Sequence, residues 1–340
     1  MSISGSTFRG KRRRYLFGVT ASAFAAQVCL DPQLLAALIR KHVREAEGVV
    51  FETGPLSIWF YHALTAEGLP TICIDACHAK AALDLAANKT GANDADSLAH
   101  LAEVGFYKEV RVKSFHSMLG RTLLAARTRL VRIGTELSNQ VRSLMKTFRL
   151  VVPPASGSKF ERQVEALLAD NADPGRIIRP QLEAWHAVRL RAAELGRKLL
   201  ADARRGDACQ LLMTIPGVGV VTVTSFVTAI EDPTNFQRSR SVGVWVALTT
   251  RRYQSGEIDF DGHISRRSDR HLRAPLRGSD GVAGPQPVRV RSAQVGSAGL
   301  QLRERLGFKR VAVAVAPKLP VIMHSMLITG EPFKETRATA

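Results

Sequence analysis

Residues 48–64, GVVFETGPLSIWFYHAL, decide how the first hundred residues are read. An apolar run, Val49, Val50 and Phe51, passes directly into Glu52 and then into a Gly-Pro turn. A run of that length between turn signals predicts a buried strand. An ionised carboxylate at the tip of such a strand is costly unless it is partnered. Glu52 therefore either faces water at an exposed strand end, or is hydrogen-bonded or bound to a metal. The flanking sequence bears on the choice. Upstream, DPQLLAALIRK (31–41) predicts a helix with Asp31 as its cap, Pro32 in the first turn and leucines three and four apart. Downstream, LSIWFYHALTAEG (56–68) predicts a second helix ending at Gly68, and PTICIDA (70–76) a second buried strand. Strand, helix, strand implies a parallel βαβ unit with a right-handed crossover. Glu52 then lies at the carboxyl end of its strand, on the edge where α/β sheets collect ligands. Further on, Asn93 or Asp94 begins a helix with Leu98, Leu101 and Ala102 on its apolar face. The helix dipole favours an acid in that first turn, so Asp94 and Asp96 read equally well as caps.

The global signal is charge. Lys and Arg total 48 against 30 Asp and Glu in 340 residues, a formal charge of +18. Such a field attracts a polyanion, and nucleic acid is the expected partner, because a membrane surface would call for a basic amphipathic helix or a lipid anchor. No apolar run reaches the roughly 18 residues that span a bilayer. The basic cluster GKRRRYLFG is followed by no apolar signal region, so the expected location is cytoplasmic. Cys29, Cys73, Cys77 and Cys209 are too scattered for a disulfide scaffold. Cys73, Cys77 and His78 lack a second thiolate pair and read as free groups rather than a metal site.

From Lys113 to Leu150 the pattern becomes helical, with Leu123, Leu130, Leu137 and Leu144 every seventh residue beside Ile133 and Val141. It predicts a long helix able to form a coiled coil, or a core helix of a bundle. VVPPASGSK breaks it, and residues 160–205 resume a basic helical pattern able to run back antiparallel. In LLMTIPGVGVVTVTSFVTAIED, Pro216, Gly217, Val218 and Gly219 predict a tight turn of helix-hairpin-helix type. There, glycines without a Cβ let a phosphate approach the amides of the next helix. Arg251, Arg252, Arg266, Arg267, Arg270 and Arg273 surround Ser255 and Ser265 and predict a phosphate-facing loop.

Three passages together resemble the DEDD-type transposases of bacterial insertion sequences, the one-hundred-ten group. They are VVFETGPLSIWFYHAL, NKTGANDADSLAHLAEVGFYKEVRVKS, and the stretch from IPGVGVV to SDRHLR. The resemblance implies an α/β RNase H-like (RuvC-like) N-terminal domain over 1–112, coiled-coil helices over 113–205, and a mainly α C-terminal domain over 206–330 bearing a serine nucleophile. It implies a DNA transposase guided by a structured bridge RNA, acting as a homodimer or homotetramer with Mg²⁺. Glu52 and Asp94 would be catalytic metal ligands and Ser255 the nucleophile. Lys89, Gly217, Gly219, Arg251, Arg252, Arg266 and Arg267 would contact nucleic acid.

Two positions depart from the family pattern: Thr20 stands where its first Asp is expected, and Gly91 where its third acid is expected. Between Thr20 and Asp31 there is room for one of the two further strands that an RNase H-like sheet requires. Residues 274–298 lose helical periodicity and are expected to be irregular. A catalytically inactive nucleic-acid-binding remnant is the alternative function, and a RuvC-like nuclease using metal-activated water a third.

Overall fold

The computed structural model describes residues 16–18, 31–42, 46–83, 91–246, 250–255, 258–264 and 318–333. The chain forms two compact units, Met1–Ser114 and Phe115–Ala340. Thr20, Lys89, Arg266, Arg267 and the 274–298 segment lie outside the described residues.

The first unit is built on a three-stranded parallel sheet in the order β1 (Leu16–Gly18), β2 (Gly48–Glu52), β3 (Thr71–Ile74). Phe17 pairs with Val49, and Glu52 with Ile74. Helices accompany the strands: α1 (Pro32–His42), α2 (Ser57–Ala66) and α4 (Gly91–Glu103) lie where the sequence pattern expects them, and α3 (Ala76–Leu83) is a further helix after β3. Asp31 Oδ1 accepts the N–H groups of Gln33 at 2.9 Å and Leu34 at 3.1 Å, the cap expected from its place before Pro32. Gly68 follows α2 at φ +76°, a left-handed conformation that stops the helix at little cost only for glycine.

Period-two alternation sends the strand residues into two separate cores. On one face Val49, Phe51 and Cys73 pack with Leu35, Ala36 and Ile39 of α1 and with Phe60 and Leu64 of α2. The Phe51 and Phe60 rings meet edge to face at 5.4 Å. On the other face Val50 and Ile74 pack with Ala79 of α3 and Leu98 of α4. The free edge of β3 is covered by residues 108–110, where Asp75 N–H donates to Lys108 O and Val110 N–H to Cys73 O.

Among its described residues the second unit is helical apart from one antiparallel ribbon. Its elements are α5 (Phe115–Thr147), α6 (Ser158–Leu168), α7 (Ala172–Arg205), α8 (Asp207–Met213), α9 (Val220–Ile230), α10 (Ser239–Trp245), β4 (Thr250–Ser255), β5 (Ile258–Ile264) and α11 (Lys318–Thr329). α5 and α7 lie antiparallel: Gly134 faces Val188 while Gly196 faces Arg127, seven residues back on α5. Nearer the far end of α5, Val141 and Met145 pack with Ile178, Leu182 and Trp185. The heptad leucines 123, 130, 137 and 144 flank this seam half-buried, whereas their neighbours Leu124 and Met145 are fully buried. The seven-residue spacing finds the stripe but misplaces its centre, because Gly134 and Gly196 sit in the seam where the leucines were expected. A second core joins Leu212 of α8, Val223, Phe226 and Ile230 of α9, Val242 of α10 and Met323 of α11.

The stretch expected to be a phosphate-facing loop contains regular structure. Residues Thr250–Ser255 and Ile258–Ile264 form a two-stranded antiparallel ribbon, with Tyr253 opposite Phe260 and a register irregularity between Thr250 and Arg252. The density of arginines and acids there hides the alternation that marks a strand, and cross-strand pairing supplies what the composition does not announce.

Candidate active site and nucleic-acid interface

Glu52 is the last residue of β2, half-buried, on the same side of the sheet as Val50 by strand alternation. That side is the one covered by α4, whose first turn carries Asp94. Glu52 thus stands on the side of the sheet that α4 covers. The carboxyl ends of β2 and β3 are tied together: Thr53 N–H donates to Ile74 O at 2.9 Å, and Ala76 N–H to Thr53 Oγ1 at 3.1 Å.

Asp75 also stands at this edge and was not singled out from the sequence. Its Oδ1 accepts the Cys77 N–H at 2.8 Å, and its Oδ2 lies 3.4 Å from His78 Nδ1. Burial pushes the Asp75 pKa upward, but the main-chain N–H groups of Cys77 and His78, together with the His78 ring, outweigh it and hold the carboxyl below its ordinary range. Asp75 is thus a cap for α3. The sequence signal was an Asp one residue before a helical run, the same signal that was read at Asp31.

Among the described residues no three His, Cys, Asp or Glu side chains converge as a metal-binding group. Mg²⁺ takes one or two carboxylates and completes its shell with water and substrate phosphate, so an acid at this strand end is of the type such an ion uses.

In the second unit Ser255 is the last residue of β4, is exposed, and pairs with Ile258, the first residue of β5. Arg251 and Arg252 precede it on the same strand. The Ile215–Gly219 turn joins α8 to α9; Gly217 adopts φ +81°, and Val218 N–H donates to Ile215 O at 3.1 Å. Gly217 and Gly219 are both exposed, and a Cβ at Gly219 would meet nothing within 4 Å. The α9 amides therefore begin at an open surface, the arrangement the glycine pair predicted.

His324 on α11 braces the segment between this turn and the hairpin. It is buried, with Nε2 2.8 Å from Pro233 O and Nδ1 2.9 Å from Ser239 Oγ. A carbonyl only accepts, so Nε2 carries the proton, and in the neutral ring the Ser239 hydroxyl donates to Nδ1. These partners are 91 and 85 residues away in sequence, and no local pattern announces them.

Residues 24–149 match the DEDD transposase family of the IS110 group, and residues 209–277 match the family described as transposase IS116/IS110/IS902. The chain is similar to the transposase for insertion sequence element IS1111A of Coxiella burnetii, with 27% identity over 97% of this chain and 95% of that one. It is similar also to a protein of Pseudomonas aeruginosa named "Probable family 20 transposase", with 27% identity over 71% of this chain and 72% of the relative. A transposase for insertion sequence element IS1328 of Yersinia enterocolitica is 26% identical over 44% of this chain and 45% of its own. The DEDD match carries an RNase H-like fold for the first unit, and the parallel β1–β2–β3 sheet with helices on both faces agrees with it.

Proposed function

Because the chain belongs to the IS116/IS110/IS902 family of insertion-sequence transposases, we propose that it cuts and rejoins DNA through Ser255, assisted by an acidic site at Glu52 and Asp94. The observation that carries this reading is the placement of Glu52 at the carboxyl end of the central strand, on the face covered by the helix that begins beside Asp94. In the reaction the Ser255 hydroxyl gives up its proton as its oxygen forms a bond to the scissile phosphorus. The phosphorus–oxygen bond to the adjoining sugar breaks, and that oxygen leaves as a hydroxyl. A hydroxyl from another DNA end reverses the step on the new partner and frees the serine. Arg251 and Arg252 are the cations best placed along the chain to offset the charge gathered on the phosphoryl oxygens. A bound Mg²⁺ would supply Lewis-acid polarisation of phosphate oxygens. Glu52 and Asp94 are the residues that would hold it. The exposed Gly217–Gly219 turn binds phosphate backbone, a structured RNA selects the DNA, and copies of the chain associate. The half-buried leucines flanking the α5–α7 seam, with Leu119 at 58% exposure, suit that association.

Strand exchange between a donor duplex and a target duplex, with the structured RNA encoded beside the reading frame, tests the reading. Ser255→Ala should abolish the covalent protein–DNA adduct and the product, and Glu52→Gln should suppress both. Exchange that persists in Ser255→Ala would refute the serine mechanism.

The second reading, a nucleic-acid-binding remnant without chemistry, is favoured by Thr20 and Gly91 at two of the four expected acid positions. Mg²⁺ titration separates the two. A recombinase needs the metal for cleavage, whereas a binder responds chiefly to salt through counterion release.

A further inference from the structure

Arg127 lies in the α5–α7 seam at the point where α7 presents Gly196; a β-carbon at that glycine would stand 3.3 Å from the Arg127 Nε. A half-buried guanidinium between two helices calls for a counter-charge. Among the described residues Arg127 makes no ion pair or hydrogen bond, and burial pulls its pKa below the ordinary arginine range. Its neighbours are treated differently. Arg132 meets Glu136, Arg191 and Lys198 share Glu194, and Arg205 pairs with Asp202. The cations left without an acid partner among the described residues include Arg127 on α5, and Arg197 and Arg204 on α7. The last two are one heptad apart and directly follow the seam residue Gly196 and the buried Ala203. The hairpin as a whole is basic: α5 carries six Lys and Arg against the single Glu136, and α7 eight against four acids.

We propose that Arg127, with Arg197 and Arg204, forms a phosphate-binding site on the α5–α7 hairpin that grips the backbone of a nucleic acid. The proposal rests on the nucleic-acid function argued above, and adds a site outside both the acidic edge and the serine hairpin. A phosphate suits this position better than a carboxylate from a second copy, because the hairpin's surplus of positive charge repels another such hairpin and attracts a polyanion. The glycine at 196 leaves room for the guanidinium to lie against α7 with its donors directed outward to one phosphate.

The test is fluorescence anisotropy on the full chain, with two probes, a duplex DNA of arbitrary sequence and a structured RNA hairpin, each titrated across a salt series. Arg127→Met keeps the bulk and removes the charge. Arg129→Met removes the same charge about 200° round the helix, at an exposed position. Arg127→Met should weaken binding of at least one probe about five- to tenfold and lower the slope of log affinity against log salt by about 0.9 for the duplex, or somewhat less for RNA. It should also leave the melting temperature unchanged or raised, since an unpaired half-buried cation is being removed. Arg127→Lys should restore most of the binding, and Arg129→Met should change it less than twofold. The probe that responds identifies DNA or RNA as the occupant. Unchanged affinity and slope in Arg127→Met would overturn the proposal while leaving the Ser255 reading intact. So would a lowered melting temperature with the slope unaltered, or a loss of self-association in sedimentation with affinity intact. A wild-type chain that bound neither probe at low salt would overturn both this proposal and the function it rests on.

Discussion

Gly120 on α5 passes so close to Thr228 on α9 that a β-carbon there would sit 2.9 Å from Thr228 Cγ2. Thr228 cannot easily give way, because its Oγ1 donates to Thr224 O at 2.8 Å and so fixes the rotamer. Gly134, on the same helix, has room: its β-carbon would meet Val188 at 3.8 Å, ordinary contact. The two glycines should respond oppositely to alanine. Gly134→Ala should raise stability by up to about 1 kcal/mol from helix propensity alone. Gly120→Ala should lose about 1 kcal/mol net, overpacking exceeding the same gain. Chemical denaturation of the two variants checks the difference in sign; two equal increases would show that α5 and α9 do not approach as closely as described.

His324→Ala should cost about 2–4 kcal/mol, because it opens a cavity and strands both the Pro233 carbonyl and the Ser239 hydroxyl. Ser239→Ala should cost about 1 kcal/mol, having only the one bond to lose. Thermal melts of the two single variants and the double variant would show coupling if the pair acts as one network. Additive losses would argue against a coupled network.

Thiol chemistry should separate the three described cysteines. Cys73 is buried, and burial, with an opposing contribution from Ser57 and a smaller push from Glu109, raises its pKa to about 11. Burial raises the Cys209 thiol as well, while Cys77 is exposed. Alkylation of the native protein near pH 8 should modify Cys77 and leave Cys73 and Cys209 until denaturant is added, a result that mass spectrometry reads directly. The linkage follows in sign. Above about pH 9 the unfolded chain releases the Cys73 proton and the folded chain keeps it, so stability falls as pH rises from 9 to 11, by about 2–3 kcal/mol relative to Cys73→Ala.

The two turn glycines should separate folding from binding. Gly217 holds φ +81°, so Gly217→Ala should cost roughly 1 kcal/mol of stability as well as nucleic-acid affinity. Gly219 has an ordinary φ of −90° and open space around it, so Gly219→Ala should leave the melting temperature alone and reduce affinity only if a phosphate comes up against that backbone. Parallel melts and anisotropy titrations decide this. Intact affinity in Gly219→Ala would remove the α8–α9 turn from the interface.

Several elements were legible because their causes are local. The Asp31 cap, the stop at Gly68 and the βαβ order around Glu52 each depend on residues within one or two turns of the chain. The capping role of Asp75 is legible in the same way, from an Asp one residue before a helical run. The Thr250–Ile264 ribbon was not legible, since its stability comes from cross-strand pairing and its arginines read as a phosphate-facing loop.

The amino-acid sequence by itself determined that a buried strand ends on Glu52, that a glycine turn opens onto a helix near residue 217, and that the chain carries an excess of positive charge. Short-range sterics, periodicity and composition fix all three. Only the tertiary structure decided that Glu52 shares a layer with the helix bearing Asp94, that glycines and Arg127 rather than the heptad leucines occupy part of the α5–α7 seam, and that His324 finds its partners at Pro233 and Ser239. Those outcomes depend on which surfaces close-pack across long stretches of chain, and close packing is settled by the volumes on both sides of a contact, of which the local sequence describes only one.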